Sequence, residues 1–386
     1  MGNNKTAGRH VFADTRPHYE MLDALRGVAA LMVVWYHVFE GFVFAKGDGV
    51  ITGLNHGYLA VDFFFMLSGF VISYAYDSRW HTTLKLKGFF ARRLVRLHPM
   101  VLLSAVIGAI AFSLQGGVQW DGSHIATSTL MLALLCTMFF VPALPGSRIE
   151  VRGNGEMFPL NGPSWTLFFE YIGNILYALV LRRLSTRALS IVVVLLGAGL
   201  ACFAITDAAS YTSIGVGWTL DGVNFGGGLL RLLFPFSMGM LLSRLFKPMK
   251  ISGAFLICSL ILVALMAVPY IPACGGVHLN GVYEMVCVII IFPIIVKMGA
   301  SAGVDSGNKV YSFLGGISYP LYIIHYPVMY LFYAWLIGEK RYTLAETWHV
   351  VVPMFVGLVI VAHLLLRYYD EPVRRFFSDK FSTKKQ

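Results

Sequence analysis

The chain has 386 residues, of which 57% are hydrophobic and only 13% are charged. Soluble domains carry about 25% charged residues, so a soluble globule of this composition would expose too much apolar surface to stay dispersed. The net charge of +10 could indicate nucleic-acid binding, but 23 of the 30 Lys and Arg residues fall in alternate connections between apolar segments. That distribution is typical of the cytoplasmic loops of a membrane protein, and it excludes a nucleic-acid partner.

Eleven apolar segments approach the roughly 20 residues that a helix needs to span a bilayer. Lipid offers no hydrogen bonds to the backbone, so these segments are predicted to be helices, and no alternating ten-residue strands of a barrel occur. The predicted fold class is all-α, a polytopic transmembrane helical bundle. The segments are 22–44, 58–76, 97–114, 125–141, 164–181, 189–205, 225–245, 253–270, 282–298, 313–336 and 348–368.

By the positive-inside rule, the basic connections predict that both termini lie in the cytoplasm. Two cytoplasmic termini require an even number of crossings, so we expect about ten spanning helices plus one partial helix. Either 97–114 or 125–141 is the segment that fails to cross. The predicted organisation is a cytoplasmic tail over 1–20, a transmembrane domain over 21–370 and a cytoplasmic tail over 371–386.

The first apolar segment carries four ionisable residues, Asp23, Arg26, His37 and Glu40. At 100° per residue all four fall within one 100° arc of the helix, and Arg26 lies about 16 Å from His37 along the axis. A charge at the centre of a bilayer costs at least about 2.5 kcal/mol, so such groups face a cavity or a partner. A snorkelling arginine at a helix end would explain Arg26, but it would not explain the histidine or the glutamate.

Further polar residues stand within or beside later segments. Asp62 in the second segment is either functional or a helix-interface residue, and Gly69 on the same face would allow close packing. The cluster of Arg92, Arg93 and Arg96 begins the third segment. Such a cluster is either a topology signal or a site for phosphate, which the planar guanidinium binds in bidentate fashion.

Two later segments supply the remaining candidates. Glu170 is expected at a depth similar to that of His37, which predicts either a functional His–carboxylate pair or a structural salt bridge. Ser318, Tyr322 and His325 follow at i, i+4 and i+7, so they share one helix face. His325 is either a second functional imidazole or a tie between helices. The five cysteines show neither the spacing of a metal site nor a disulfide framework.

Six stretches together resemble the integral-membrane acyltransferase-3 family, whose members are membrane-bound O-acyltransferases of glycans. In chain order they are "LDALRGVAALMVVWYH", "GYLAVDFFFMLSGFVIS", "FFARRLVRLHP", "WTLFFEY", "SYPLYIIHYP" and "DEP". The family's Arg–ten residues–His signature is matched by Arg26 and His37. Its Arg-x-x-Arg motif is matched by Arg93 and Arg96, and its Trp-x-Leu-x-x-Glu element by the segment that ends in Glu170.

The resemblance implies transfer of an acetyl or other short acyl group from cytoplasmic acyl-CoA to a hydroxyl of an extracytoplasmic or lipid-linked carbohydrate. The phosphates of CoA would bind Arg26, Arg92, Arg93 and Arg96. His37 would act as general base, oriented by Glu170, and a transient acyl-histidine is an alternative chemistry. The expected donor is acetyl-CoA or another short acyl-CoA, with no metal, and the expected location is the bacterial inner membrane.

Two other functions are compatible with intramembrane charges. A secondary transporter also places Asp, Glu, His and Arg in its spans, although no internal repeat is visible here. A catalytically inactive glycan-binding subunit is the third possibility, and the intact Arg26–His37 spacing argues against it.

Overall fold

The computed structural model describes five stretches of the chain, which are residues 19–47, 53–80, 82–249, 251–301 and 308–383. Most of the predicted tail 1–20 and the last three residues of the predicted tail 371–386 therefore lie outside the described residues. Within the described stretches the chain forms helices and a few isolated β-bridges, with no strand. The predicted all-α fold class is confirmed.

Thirteen α-helices follow one another along the described part of the chain. α9 and α10 join through a π-helical turn at Cys287–Ile291, and α12 and α13 join through another at Leu366–Asp370, so eleven continuous helices result. The helices are α1 Glu20–Lys46, α2 Ala60–Tyr76, α3 Leu86–Leu114, α4 Thr127–Met138, α5 Ser164–Leu179, α6 Thr186–Ile205, α7 Gly222–Leu245, α8 Ala254–Ala267, α9 Leu279–Val286, α10 Phe292–Ser301, α11 Lys309–Glu339, α12 Leu344–Leu365 and α13 Glu371–Thr383.

Each of the eleven predicted segments coincides with one continuous helix. Among the described residues, nine of these helices are long and apolar enough to cross a membrane. Their outer surfaces are apolar, as on α6, where Val194 and Leu195 are each about two-thirds exposed. Such side chains would be unfavourable in water and suit lipid. The chain is therefore an integral membrane protein.

The two remaining helices, α4 and α8, are short. α4 has 12 residues and spans about 18 Å, well below the roughly 30 Å of a hydrocarbon core. Of the two segments proposed as the partial helix, 125–141 is therefore the short one, and 97–114 belongs to the 29-residue α3. The prediction did not anticipate that α8, with 14 residues, is also shorter than a standard span.

α8 nevertheless connects the two ends of the bundle. We call the end at which α1 and α3 begin the basic end, and the end at which α1 finishes and α5 begins the aromatic end. Phe255, near the start of α8, contacts Tyr311 at the start of α11, with ring centroids 4.7 Å apart. Val268, just after α8, receives a 2.7 Å hydrogen bond from His56 at the aromatic end. α8 therefore extends from one end of the bundle to the other despite its length.

Glycines permit the closest helix crossings. A Cβ on Gly69 of α2 would lie 1.9 Å from the carbonyl oxygen of Phe236 in α7, and one on Gly239 would lie 2.0 Å from that of Met66. α1 and α11 meet in the same way, since a Cβ on Gly27 would lie 2.3 Å from the Leu314 carbonyl oxygen. Small residues at such contacts are how membrane helices pack without a hydrophobic driving force. These crossings fix α1, α2, α7 and α11, which carry most of the polar residues described below.

Candidate active site

His37 is held by a carboxylate of its own helix. Its Nδ1 lies 2.7 Å from Oε2 of Glu40, three residues further along α1. A carboxylate accepts hydrogen bonds, so this contact assigns the ring proton to Nδ1 and leaves the lone pair on Nε2. The imidazole side chain is 14% exposed. This neutral tautomer is the form that a general base requires.

Three tyrosine hydroxyls fix Glu40 in turn. Tyr333 and Tyr326 donate to Oε2 at 2.9 and 3.3 Å, and Tyr36 donates to Oε1 at 3.3 Å. Tyr333 also donates to the backbone carbonyl of His37 at 2.8 Å. The pair formed by His37 and Glu40 is therefore surrounded by donors that hold the carboxylate in its charged, hydrogen-bonded orientation.

His325 on α11 lies beside the first imidazole. The two rings stack with centroids 5.1 Å apart and an interplanar angle of 30°. Nδ1 of His325 donates to the carbonyl of Tyr322 at 2.7 Å, which leaves its Nε2 as an acceptor. That Nε2 is buried and has no hydrogen-bond partner among the described residues. The hydrogen bond of His325 is therefore made within its own helix, α11. Its other ring nitrogen is unsatisfied and belongs to the ring that stacks on His37.

The predicted pairing of His37 with Glu170 is wrong. Glu170 instead accepts hydrogen bonds from Arg93 on α3 and from Ser68 on α2, the latter at 3.0 Å. The prediction used depth along the helix alone, whereas the facing direction of α5 is fixed by its packing against α7, where Gly173 meets Leu232 and Phe236. The nearer carboxylate was already visible in the sequence, because Glu40 belongs to the polar stripe of α1.

One cavity opens toward the basic end, with a volume of about 390 Å³. We call it the arginine cavity, after the four arginines that line it, which are Arg26, Arg93, Arg96 and Arg374. Arg26 bonds Asp23 at 2.8 Å, and Arg93 bonds Glu170. Arg92, predicted to belong to this group, is not among the described residues that line the cavity. The cavity also includes Ser318, whose hydroxyl donates to the Gly315 carbonyl at 2.7 Å.

The second cavity lies toward the aromatic end, with a volume of about 350 Å³. We call it the aromatic cavity. His37 and Glu40 line it, together with the carboxyl of Glu156 and many aromatic rings. The Phe, Trp and Tyr side chains are Tyr36, Phe44, Tyr58, Trp120, Trp165, Tyr211, Trp218, Tyr270, Tyr322, Tyr326, Tyr330 and Tyr333. A concave surface of rings with a few convergent polar groups is the usual form of a small-molecule site.

The two cavities are adjacent and share two lining residues. Val61 on α2 and Tyr322 on α11 line both of them, and no other described residue does. The hydroxyl of Tyr322 bonds that of Thr166 on α5 at 2.8 Å. A slender group entering from the arginine cavity would therefore pass these two side chains to reach His37. The sequence indicated Tyr322 as a candidate but gave it no role.

The loop between α4 and α5 closes the aromatic cavity from outside the spanning helices. Arg152 stacks on the Tyr330 ring at 3.4 Å from its centroid and donates to the Pro159 carbonyl at 2.6 Å. Tyr330 donates to Glu156. Burial raises the pKa of Glu156 to about 7, against the opposing effects of Tyr330 and Arg152. A neutral carboxyl that can donate a hydrogen bond thus stands in the cavity wall near neutral pH.

Asp62 has a structural partner. It forms a fully buried ion pair with Arg231 of α7, at 2.7 Å between Oδ2 and Nη2 and 3.2 Å between Oδ1 and Nε. Arg231 also donates to the carbonyls of Val216 and Tyr58. Of the two interpretations of Asp62, the helix-interface one matches this geometry. Across the described residues, no three His, Cys, Asp or Glu side chains come together as a metal site would require.

Comparison with known proteins identifies the family. Residues 19–367 match the family described as an acyltransferase domain. The chain belongs to the acyltransferase-3 family. The match covers nearly the whole chain and includes the Arg26, His37, Arg93 and Glu170 positions, so the resemblance predicted from the six stretches is confirmed. The chain is therefore a transferase of acyl groups.

Several curated proteins are similar to this chain. Acyltransferase MdmB of Streptomyces mycarofaciens is 24% identical over 377 residues, which is 92% of this chain and 91% of that protein. Protein 2 in picA locus of Rhizobium radiobacter is 35% identical over 41% of this chain and 80% of its own length. Peptidoglycan O-acetyltransferase OatA of Listeria monocytogenes is 35% identical over 25% of this chain and 14% of that protein. No solved structure matches this acyltransferase.

Proposed function

We propose that this acyltransferase transfers an acetyl or other short acyl group from acyl-CoA to a hydroxyl of a carbohydrate, with His37 as general base. The observation that supports the proposal most strongly is the placement of the His37–Glu40 pair in the aromatic cavity, beside its junction with the arginine cavity. Each substrate would then have its own cavity, and the reacting atoms would meet where the two cavities join.

The donor suits the arginine cavity. The nucleotide of CoA carries several phosphate charges and cannot enter hydrocarbon, whereas guanidinium groups bind phosphate oxygens in bidentate geometry. Arg26, Arg93 and Arg96 would hold those phosphates, and the pantetheine arm would extend past Tyr322 and Val61 toward His37. Arg26 and His37 lie about 16 Å apart along α1, a span that an extended pantetheine arm can cover.

The acceptor suits the aromatic cavity. Sugar rings present apolar C–H faces that pack on aromatic side chains and hydroxyls that bond carboxyl and amide groups. Trp120, Trp218 and Tyr326 supply ring faces, and Glu156 and Asn154 supply polar groups. The name of the Listeria relative, a peptidoglycan O-acetyltransferase, also supports a carbohydrate acceptor.

In the transfer step, Nε2 of His37 takes the proton of the acceptor hydroxyl as that oxygen bonds to the thioester carbonyl carbon. The tetrahedral intermediate then releases the sulfur as the C–S bond breaks, and the imidazolium returns its proton to the thiolate. The products are the O-acyl ester and free CoA. Glu40 would hold the Nδ1–H and stabilise the imidazolium that forms between the two proton transfers.

The membrane orientation follows from charge. The basic end carries most Lys and Arg residues, so we place it and both termini in the cytoplasm, where acyl-CoA is available. The aromatic cavity would then face the extracytoplasmic side of a bacterial inner membrane. Ten crossings, including the short α8, satisfy the even number that this orientation needs, and α4 would lie in the outer leaflet without crossing.

The test is donor-dependent turnover by the purified protein in detergent or nanodiscs. Release of free CoA from acetyl-CoA, followed with a thiol reagent, should be saturable and should be abolished by His37→Ala. The control is the variant's melting temperature and its acetyl-CoA affinity, both of which should match the wild type. Turnover of acetyl-CoA that is unchanged in His37→Ala would contradict the proposed base.

A further inference from the structure

The last described helix, α13, lies beyond the part of the chain that matches the family, which ends at residue 367. The sequence predicted a tail over 371–386, but α13 packs on α3. The π-helical turn Leu366–Asp370 joins α12 to α13, and Tyr369 within it donates to the Pro99 carbonyl of α3 at 3.0 Å. π-helical insertions of this kind are frequent at functional sites, and this one lies at the edge of the arginine cavity, which Asp370 lines.

Four residues of this region line the arginine cavity: Leu366, Asp370, Glu371 and Arg374. Asp370 is 1% exposed and accepts a hydrogen bond from Nη2 of Arg374, one turn further on. Nη2 of Arg374 donates to the Asp370 carboxylate, and Nε donates to the Asp370 backbone carbonyl. Nη1 can therefore donate to a ligand. The Oδ1 atom of Asp370 is buried, and no residue in the described part of the chain bonds to it.

Arg374 adds a further cation to the mouth of the cavity. Its charge and that of Arg96 on α3 are near enough to repel each other. α1, α3 and α13 thus direct guanidinium groups into one cavity, and several of these are held by a carboxylate, as Asp23 holds Arg26. Such pairs fix the direction of each guanidinium while leaving N–H groups for an anion.

We propose that Arg374 is a phosphate-binding residue of the donor site, and that Asp370 is the positioning residue that aims it. The ligand class is a nucleotide phosphate of acyl-CoA, so the inference rests on the proposed function. α13 then belongs to the acyltransferase domain and is not a tail.

The experiment compares two donors in the full-length protein. Acetyl-CoA carries the nucleotide phosphates, whereas S-acetylpantetheine has the same thioester and arm without any phosphate. Arg374→Ala should raise the KM for acetyl-CoA about tenfold, the scale of one hydrogen bond to a charged group, and leave the KM for S-acetylpantetheine unchanged. Asp370→Asn should show the same donor dependence to a smaller extent.

Arg375→Ala is the matched control. Arg375 is the next residue of α13 and is 67% exposed; it is not among the described residues that line the cavity, although Glu371, with which it pairs at 3.4 Å, is. Removing it takes the same charge from the same helix without taking a guanidinium from the cavity, so any rise in the KM for acetyl-CoA should be well below that of Arg374→Ala. A merely structural role of Arg374 would change both donors alike, and that result would overturn the proposal.

A lipid headgroup presents the same phosphate chemistry, so the assay is run in nanodiscs of phosphatidylcholine alone and with added phosphatidylglycerol. A KM effect confined to acetyl-CoA in both lipids supports the proposal. An effect of Arg374→Ala that appears only with phosphatidylglycerol, and for both donors, assigns the residue to lipid and overturns it. If Arg374→Ala behaves as wild type while Arg96→Ala raises the KM for acetyl-CoA, the inference fails and the proposed function stands. If the wild type neither binds nor turns over acetyl-CoA, both fail.

Discussion

The substitution Glu40→Gln tests which of two carboxylates, Glu40 or Glu170, orients the His37 imidazole. The amide keeps the shape of the side chain but removes the charge that accepts the Nδ1–H at 2.7 Å. A hydrogen bond to a charged partner contributes about 1.5–3 kcal/mol, which corresponds to a fall in kcat of roughly 10- to 100-fold. The KM for acetyl-CoA should be unchanged, because Glu40 lines the aromatic cavity and not the arginine cavity.

The comparison variant is Glu170→Gln. Glu170 holds Arg93 in the arginine cavity, so its loss should act mainly on the KM for acetyl-CoA and leave most of kcat. Both variants are assayed by release of free CoA across a range of acetyl-CoA concentrations, with melting temperatures as the folding control. The reasoning is refuted if Glu170→Gln lowers kcat a hundredfold while Glu40→Gln retains the wild-type value, since Glu170 would then be the residue that serves the base.

Three further predictions follow from contacts around the cavities. His325→Phe keeps an aromatic ring beside His37 but loses the bond to the Tyr322 carbonyl. The kcat for CoA release should fall about tenfold, because the ring beside His37 is held less precisely, while the KM for acetyl-CoA stays unchanged. Unaltered kinetics would assign His325 to packing alone. Glu156 has a folded pKa of about 7, above its ordinary 4.5, so the stability it contributes is complete below pH 4.5 and is lost as pH rises through 7. The melting temperature of the wild type relative to Glu156→Gln should therefore decrease between pH 5 and 8, and a constant difference would contradict the raised pKa. Asp62→Ala leaves Arg231 buried without its carboxylate and should cost about 3–5 kcal/mol, seen as a lower melting temperature, whereas the exposed Asp121→Ala should change little; equal effects would contradict the buried ion pair.

The helices of the membrane bundle could be predicted from the sequence because each one corresponds to a continuous apolar run along the chain. Hydropathy over about 20 residues located all eleven helices, and the placement of Lys and Arg predicted the even number of passages. The lengths of α4 and α8 were less accessible, since apolar residues continue past the helix ends into connections such as 139–143 and 268–272. Where the helix ends depends on tertiary contacts, such as the bond from His56 to the Val268 carbonyl.

The site was predictable within a helix and less so between helices. The polar stripe of α1 follows from helical periodicity alone, and the structure keeps Arg26 and His37 in separate cavities along it. The partner of His37 was assigned to another helix because depth can be counted from sequence, while the rotation of α5 depends on packing. Arg374 was overlooked because a charged segment after the last apolar run resembles a solvated tail, and only the π-helical turn directs it back toward α3.

The most direct test of the account is a single-turnover measurement of acyl transfer from acetyl-CoA by His37→Ala protein that retains wild-type affinity for acetyl-CoA. General-base catalysis contributes about 10²–10⁴-fold, so the account predicts a rate below about a hundredth of the wild-type rate with the donor still bound in the arginine cavity. A variant that keeps more than about a tenth of the wild-type rate would contradict the assignment of His37 as the base.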